Sequence, residues 1–142
     1  MSVAAAAAVA VTFTWVGLVV GISFIEAPLK FRAPGVTVRI GLGIGRLVFR
    51  TVNTVEAALA IVLVVALILD PPVLLALVPQ GLAAATLTGQ LAFVRPRLTR
   101  RSNAVLQGDH APRSHAHHAY VVLETVKLTA LLVGGVATLA ST

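Results

Sequence analysis

Long apolar runs alternate with short polar stretches along this chain, and the runs are the right size to cross a bilayer. A spanning helix needs about 20 mostly apolar residues. Residues 3–25 contain no charged side chain at all. Residues 46–69 form a second run, ended by Asp70-Pro71-Pro72. Residues 73–94 form a third, ended by Arg95-Pro96-Arg97, and residues 119–140 a fourth. The pattern predicts an all-α integral membrane protein, an antiparallel bundle of four transmembrane helices forming one domain over residues 1–142. No basic residue precedes the first run, and it is too long for a signal-peptide core, so it reads as a retained helix. Pro79 falls in the first third of the third run, where it is expected to kink the helix.

Two linkers remain, 26–45 and 95–118. The first carries Lys30, Arg32 and Arg39, with Pro28 and Pro34 expected to break helix and part of the segment expected to lie on the membrane surface. The second carries Arg95, Arg97, Arg100, Arg101 and Arg113. The turn at 70–72 holds only Asp70, and neither terminus is basic. Because positively charged loops stay on the cytoplasmic side, both linkers are expected inside and both termini outside.

Composition agrees with lipid as the solvent. Hydrophobic residues make up 58% of the chain and charged residues 11%, against about 25% charged in soluble domains. The net charge is +6, but the basic residues sit in loops beside apolar spans, so they mark topology and no nucleic-acid partner is expected. There is no cysteine, which excludes a disulfide, a thiolate nucleophile and a Cys-ligated metal. An Ala- and Val-rich chain of this kind fits a bacterial plasma membrane.

Small residues recur at four-residue spacing: Gly17 and Gly21, Gly41 and Gly45, then Gly81, Ala85 and Gly89. Such rows let helices approach closely in lipid, so they are expected to face neighbouring helices. The run Gly41, Gly43, Gly45 lacks the spacing and the strand–turn–helix setting of a nucleotide loop.

Ionisable groups inside spans are costly and therefore candidates for function. Arg46, Arg50, Asn53 and Glu56 share one face of the second helix. Glu56 lies ten residues past Arg46, about 15 Å along the helix, near the middle of the bilayer. His117, Tyr120, Glu124 and Lys127 share one face of the fourth. Gln90 belongs to the third, and Glu26 closes the first. The candidate binding set is therefore Glu56, Asn53, Gln90, Glu124, Lys127 and Glu26, gathered at the cytoplasmic half of the bundle. A structural alternative pairs Lys127 with Glu124 or Glu56 as bracing.

Residues 109–118 are histidine-rich. Imidazole is the commonest metal ligand, and His117 and His118 with Glu56 and Glu124 form the kind of set that holds zinc, iron or manganese in helical bundles. A divalent metal is the one cofactor this pattern suggests. The paired ExxH motif of di-iron bundles is absent, and a solvated linker is the plainer account of the histidines.

Several stretches carry a resemblance: Phe24-Ile25-Glu26-Ala27-Pro28-Leu29-Lys30-Phe31, Gly45-Arg46-Leu47-Val48-Phe49, and Arg95-Pro96-Arg97 followed by the histidine-bearing start of the last helix. They resemble small uncharacterised bacterial four-helix membrane proteins, a eukaryotic membrane protein associated with cisplatin resistance, and more distantly the copper-resistance-D and haem-pathway membrane proteins. The resemblance implies the four-helix fold. The haem-pathway proteins carry a histidine in the first helix, where this chain reads Thr12-Phe13-Thr14-Trp15-Val16-Gly17, so it does not extend to haem.

Three functions follow as expectations. One is a binding or transport module for a cation, a proton or a small polar solute, centred on Glu56 and implying a homo-oligomer. Another is an accessory or structural subunit of a larger membrane complex. The third is a metal-dependent membrane enzyme.

Overall fold

The computed structural model describes residues 1–106 and 115–142. Among these residues all regular structure is helical. Four helices are long and apolar enough to cross a membrane: Val3–Arg32, Val38–Leu69, Leu74–Phe93 and His118–Ala140.

Helix α1 (Val3–Arg32) starts at Ser2, whose hydroxyl accepts the Ala5 N–H at 3.0 Å. It is α-helical over Val3–Val19, widens to a π-helix over Val20–Glu26, and closes with the α turn Ala27–Leu29 and the 3-10 turn Lys30–Arg32. The chain reverses through Ala33-Pro34-Gly35, where Gly35 takes φ +80°, a backbone state that glycine adopts without a Cβ clash. Helix α2 (Val38–Leu69) is capped by the Thr37 hydroxyl on Ile40 N–H at 3.2 Å and ends at Asp70. Helix α3 (Leu74–Gly89) widens into a second π-helix, Gln90–Val94, and runs on as α4 (Arg95–Leu106). Helix α5 (His115–Ala140) completes the chain.

The helices extend further than the proline and charge pattern suggested. Residues 26–32, 38–45 and 95–106, expected as linker, are helical. For residues 26–32 and 95–106 the physical reason lies in the two π turns, and for residues 38–45 the Thr37 cap starts the helix early. A proline ring inside an α-helix clashes with the carbonyl four residues earlier and removes one hydrogen bond. Pro28 and Pro96 are each the second residue after a π-helical stretch. The wider turn moves the carbonyls of Phe24 and Ala92 away from the ring, so the helix bends its hydrogen-bond register instead of stopping. Pro79 sits inside α3 near its start, where the helix stays α-helical.

Helix α3 packs most extensively on α5, and α1 packs on both α2 and α5. The dry core is built from Trp15 and Val19 of α1, Leu63 and Leu67 of α2, Leu87 of α3 and Leu131 of α5. Polar contacts mark successive levels along it. At one end the Ser2 hydroxyl donates to the Asp70 carboxylate in a very short hydrogen bond. One level in, Gln80 Nε2 donates to Thr138 Oγ1 at 3.2 Å and reaches Thr12 Oγ1 at 3.5 Å. At the other end Phe49, Arg95 and Tyr120 meet. Large apolar side chains cover the outside, among them Ile61, Ile68, Leu74, Leu75 and Phe93.

Two of the three small-residue rows are corrected by this packing, while the row of Gly41 and Gly45 does face a neighbour, the Lys30 and Phe31 side chains of α1. Gly17, Gly21, Gly81 and Gly89 each face open space, and Ala85 is exposed, so the row in α3 points away from its neighbours. Close approach falls elsewhere. A β-carbon at Gly134 would stand 2.5 Å from Gln80 Cγ and 3.3 Å from the Ala76 carbonyl oxygen. One at Gly135 would stand 2.9 Å from Phe13 Cζ. Gly41 is covered by the Phe31 ring. Spacing alone selects a face of a helix, but the apolar spans have small residues on several faces.

Candidate functional site

The deep polar residues of the apolar spans form one buried cluster. Lys127 is completely buried, and its ammonium lies 2.6 Å from Glu56 Oε1, 2.5 Å from Glu124 Oε1 and 2.9 Å from Gln90 Oε1. Gln90 Nε2 donates to Glu124 Oε1 at 3.0 Å, and Trp15 Nε1 donates to Glu56 Oε1 at 2.9 Å. Each of the four long helices contributes: Trp15 from α1, Glu56 from α2, Gln90 from the π turn after α3, Glu124 and Lys127 from α5. Lys127 follows Glu124 by three residues, so both lie on the same face of α5.

The cluster is crowded around a single cation. Lys127 uses its three ammonium protons on three oxygens. Its Nζ occupies the place between Glu56 and Glu124 that a shared metal cation would need. With both carboxylates ionised the group carries one ammonium against two negative charges. Burying such an excess in an apolar core is expensive unless a proton or a further cation balances it.

The other candidates lie elsewhere. Asn53, one turn before Glu56, is half-buried and lines a neighbouring cavity; its Oδ1 is buried and has no hydrogen-bond partner. Glu26 stands 3.7 Å from Lys30 Nζ, an ion pair along α1. Among the described residues no group of three His, Asp or Glu side chains is placed to hold a metal. His118 is exposed; the side chain of His117 lies outside the described residues, as does most of the histidine-rich segment.

The cavity is the second feature of the site. It encloses about 1010 Å³ and opens between the ends of α1, α2, α4 and α5. Among the described residues four cationic side chains line it, Lys30, Arg46, Arg50 and Arg95, and no carboxylate does. Arg95 is held firmly. Its guanidinium carbon lies 4.3 Å from the Phe49 ring centroid and 4.5 Å from that of Tyr120, with the two rings edge to face. Its Nη2 donates to the Tyr120 hydroxyl at 2.6 Å, while its Nε is buried without a partner. Lys30 lies 5.6 Å from the Phe49 centroid. Both π-helical stretches end beside this cavity, and the shift in helix phase brings Ser23 and Arg95 to its wall.

Trp15, Gln80 and the Phe49–Arg95–Tyr120 stack are absent from the candidate set read from sequence. The single tryptophan of the chain in a charge-free span was a usable signal, because a buried indole N–H needs an acceptor. Nothing in the one-dimensional pattern brings Phe49 to Arg95. Compared with protein-family models, with curated proteins and with solved structures, the chain matches none.

Proposed function

We propose that this chain is a multi-pass protein of a bacterial plasma membrane, four antiparallel spans with both termini outside, and that it is a binding module for a small polar solute held in the basic cavity. The apolar exterior supports lipid as the solvent. So do five outward-facing threonines: Thr51, Thr54, Thr88, Thr125 and Thr129 each donate to the carbonyl four residues earlier, which satisfies their hydroxyl protons in hydrocarbon. At 32 residues, α2 is about 48 Å long by its rise, well over the ~30 Å hydrocarbon core. The surplus carries Arg39 and Arg46 into a headgroup layer, on the side that a positive-inside orientation makes cytoplasmic. A cysteine at Ala33 or at Ser141, treated with an impermeant thiol reagent on intact cells, tests this. Labelling at 141 alone is expected, and labelling at 33 alone overturns the orientation.

One observation carries the binding reading: a cavity of about 1010 Å³ lined, among the described residues, by four cationic side chains and no carboxylate, with an unpartnered Asn53 oxygen and an unpartnered Arg95 nitrogen buried within its lining residues. Buried polar atoms without partners cost stability, and a bound solute would supply the missing bonds. Native mass spectrometry after mild detergent extraction is the test. The parent protein should retain a small co-purifying mass, and Asn53→Phe, which removes the amide and narrows the cavity, should weaken its retention without unfolding the protein. A parent protein that retains nothing would sink the reading.

A second reading has its own support. The Glu56–Lys127–Glu124–Gln90–Trp15 cluster joins all four long helices, which suits cross-bracing in an accessory subunit of a larger membrane complex. Such a subunit should leave the membrane with stoichiometric protein partners.

A further inference from the structure

We infer that the cavity between the ends of α1, α2, α4 and α5 is a site for a phosphoryl anion that carries a free hydroxyl, of the glycerophosphate type found in anionic lipid headgroups. The inference rests on the binding reading above and names the ligand class.

Charge is the first reason. Lys30, Arg46, Arg50 and Arg95 line one cavity together. Glu26 offsets Lys30, but among the described residues no carboxylate pairs with Arg46, Arg50 or Arg95. Arg46 and Arg50 are one helical turn apart and face the same space, an arrangement that repels itself when no anion lies between. The net excess toward the cavity is three positive charges. A neutral or cationic solute would leave that excess standing; an anion removes it.

Geometry is the second reason. Guanidinium groups match the paired oxygens of phosphate. Arg95 is held in the corner between the edge-to-face rings of Phe49 and Tyr120 and by its bond to the Tyr120 hydroxyl, so little entropy is lost when it binds. Its buried Nε still has a proton to give, which asks for an acceptor such as a phosphoryl oxygen. The Asn53 Oδ1 is the complement, a buried acceptor without a donor, and a hydroxyl on the ligand satisfies it. Both atoms lie beneath the cavity surface, so a ligand reaches them on a small shift of the side chains that cover them, and an oxyanion with a hydroxyl suits that donor and acceptor.

The apolar part of the wall is the third reason. Phe24, Leu47 and Val121 line the same cavity and are 41%, 70% and 44% exposed. They give an acyl chain a way out sideways into the bilayer, while the cations meet the headgroup at the level where anionic lipids concentrate.

Three probes on detergent-purified protein test the assignment by native mass spectrometry: phosphatidylglycerol, phosphatidylcholine and glycerol 3-phosphate. A single phosphatidylglycerol adduct should form. Arg50→Gln should weaken it about tenfold, as expected for one charge-assisted contact, and Asn53→Leu should weaken it several-fold. Arg50→Lys keeps the charge but not the paired N–H donors, so it should bind more weakly than the parent and more tightly than Arg50→Gln, an ordering that misfolding of the glutamine variant alone would not produce. Glycerol 3-phosphate binding as tightly as the lipid would make the ligand a soluble phosphate ester; weak binding would make it the lipid, and either result supports the phosphoryl assignment. Phosphatidylcholine binding equally well, or several phosphatidylglycerol adducts insensitive to Arg50 and Asn53, would overturn it and leave only lipid surrounding the bundle. If no probe binds but the native protein retains another co-purifying mass, the ligand class is wrong while the binding module stands. If nothing at all is retained, both fail.

Discussion

The buried cluster and the basic cavity lie one helical turn apart and solve opposite problems. In the cluster, one ammonium meets three oxygens within 2.9 Å and polar groups are shared until the space is full. With both carboxylates ionised its charge excess is negative, and its side chains are buried. In the cavity, cations face about 1010 Å³ of open space, and two polar atoms lack partners. The first arrangement is saturated by the protein itself, as expected of a structural joint or a proton store. The second is left unsaturated, as expected of a place that receives something. Depth alone does not separate them, since both draw on charged residues in apolar helices. What separates them is whether the chain supplies the counter-charge.

The sharpest way to break this contrast is to remove the shared cation. Lys127→Met would leave Glu56 and Glu124 facing each other in an apolar core, and breaking a buried ion pair from one side costs about 3–5 kcal/mol. A thermal melt in detergent should fall steeply, and an unchanged melt would show that the cluster holds nothing together. Next in size is the joint between α3 and α5. Gly134→Leu pushes a side chain into Gln80 and the Ala76 carbonyl, and overpacking of this kind costs about 1–3 kcal/mol. Tolerance there would mean that the α3–α5 packing is looser than described.

Glu124→Gln sharpens the comparison from inside the cluster. Because two carboxylates share Lys127, the remaining Glu56 still pairs the ammonium, and the charge excess disappears. The melt should move by less than about 1 kcal/mol, the scale of one neutral hydrogen bond. A loss as large as that of Lys127→Met would show that each carboxylate is separately required. On the cavity side, Arg50→Gln removes one of two like charges a turn apart, a repulsion of roughly 0.2–0.5 kcal/mol, so ligand-free protein should melt unchanged or slightly higher. A drop as deep as that from the cluster would make the cavity wall structural. Smallest of all, Gly89→Ala should not lower the melt, because a β-carbon there meets no atom of a neighbouring helix within 4 Å.

Much of this was legible in the chain. The four apolar runs announced four long helices, since nothing else satisfies about twenty successive backbone amides in an apolar setting. Glu56, Gln90, Glu124 and Lys127 stood out because each is a costly residue in a cheap background, and the structure gathers all four. Asn53 and Glu26 were equally conspicuous but went to the neighbouring cavity and to an ion pair with Lys30. The α3 small-residue row misled because spacing reports which face a residue shares, and carries no information on what that face meets. Pro28 and Pro96 misled, while Pro34 and Pro71-Pro72 did end helices: a proline forbids one hydrogen bond, and the helix continues where a wider turn precedes the ring.

The sequence by itself determined the helices, the apolar exterior and the shortlist of charged residues that must find partners. These are local or compositional properties, set by the free energy of each residue in its immediate surroundings. Only the tertiary structure decided who partners whom. That Lys127 serves two glutamates, that Trp15 caps one of them, and that Arg95 is clamped by Phe49 and Tyr120 all depend on how four helices are rotated and staggered against one another. A buried charge is stabilised within a few ångströms or not at all, so its meaning appears only when residues 71 positions apart, such as Glu56 and Lys127, come within 2.6 Å.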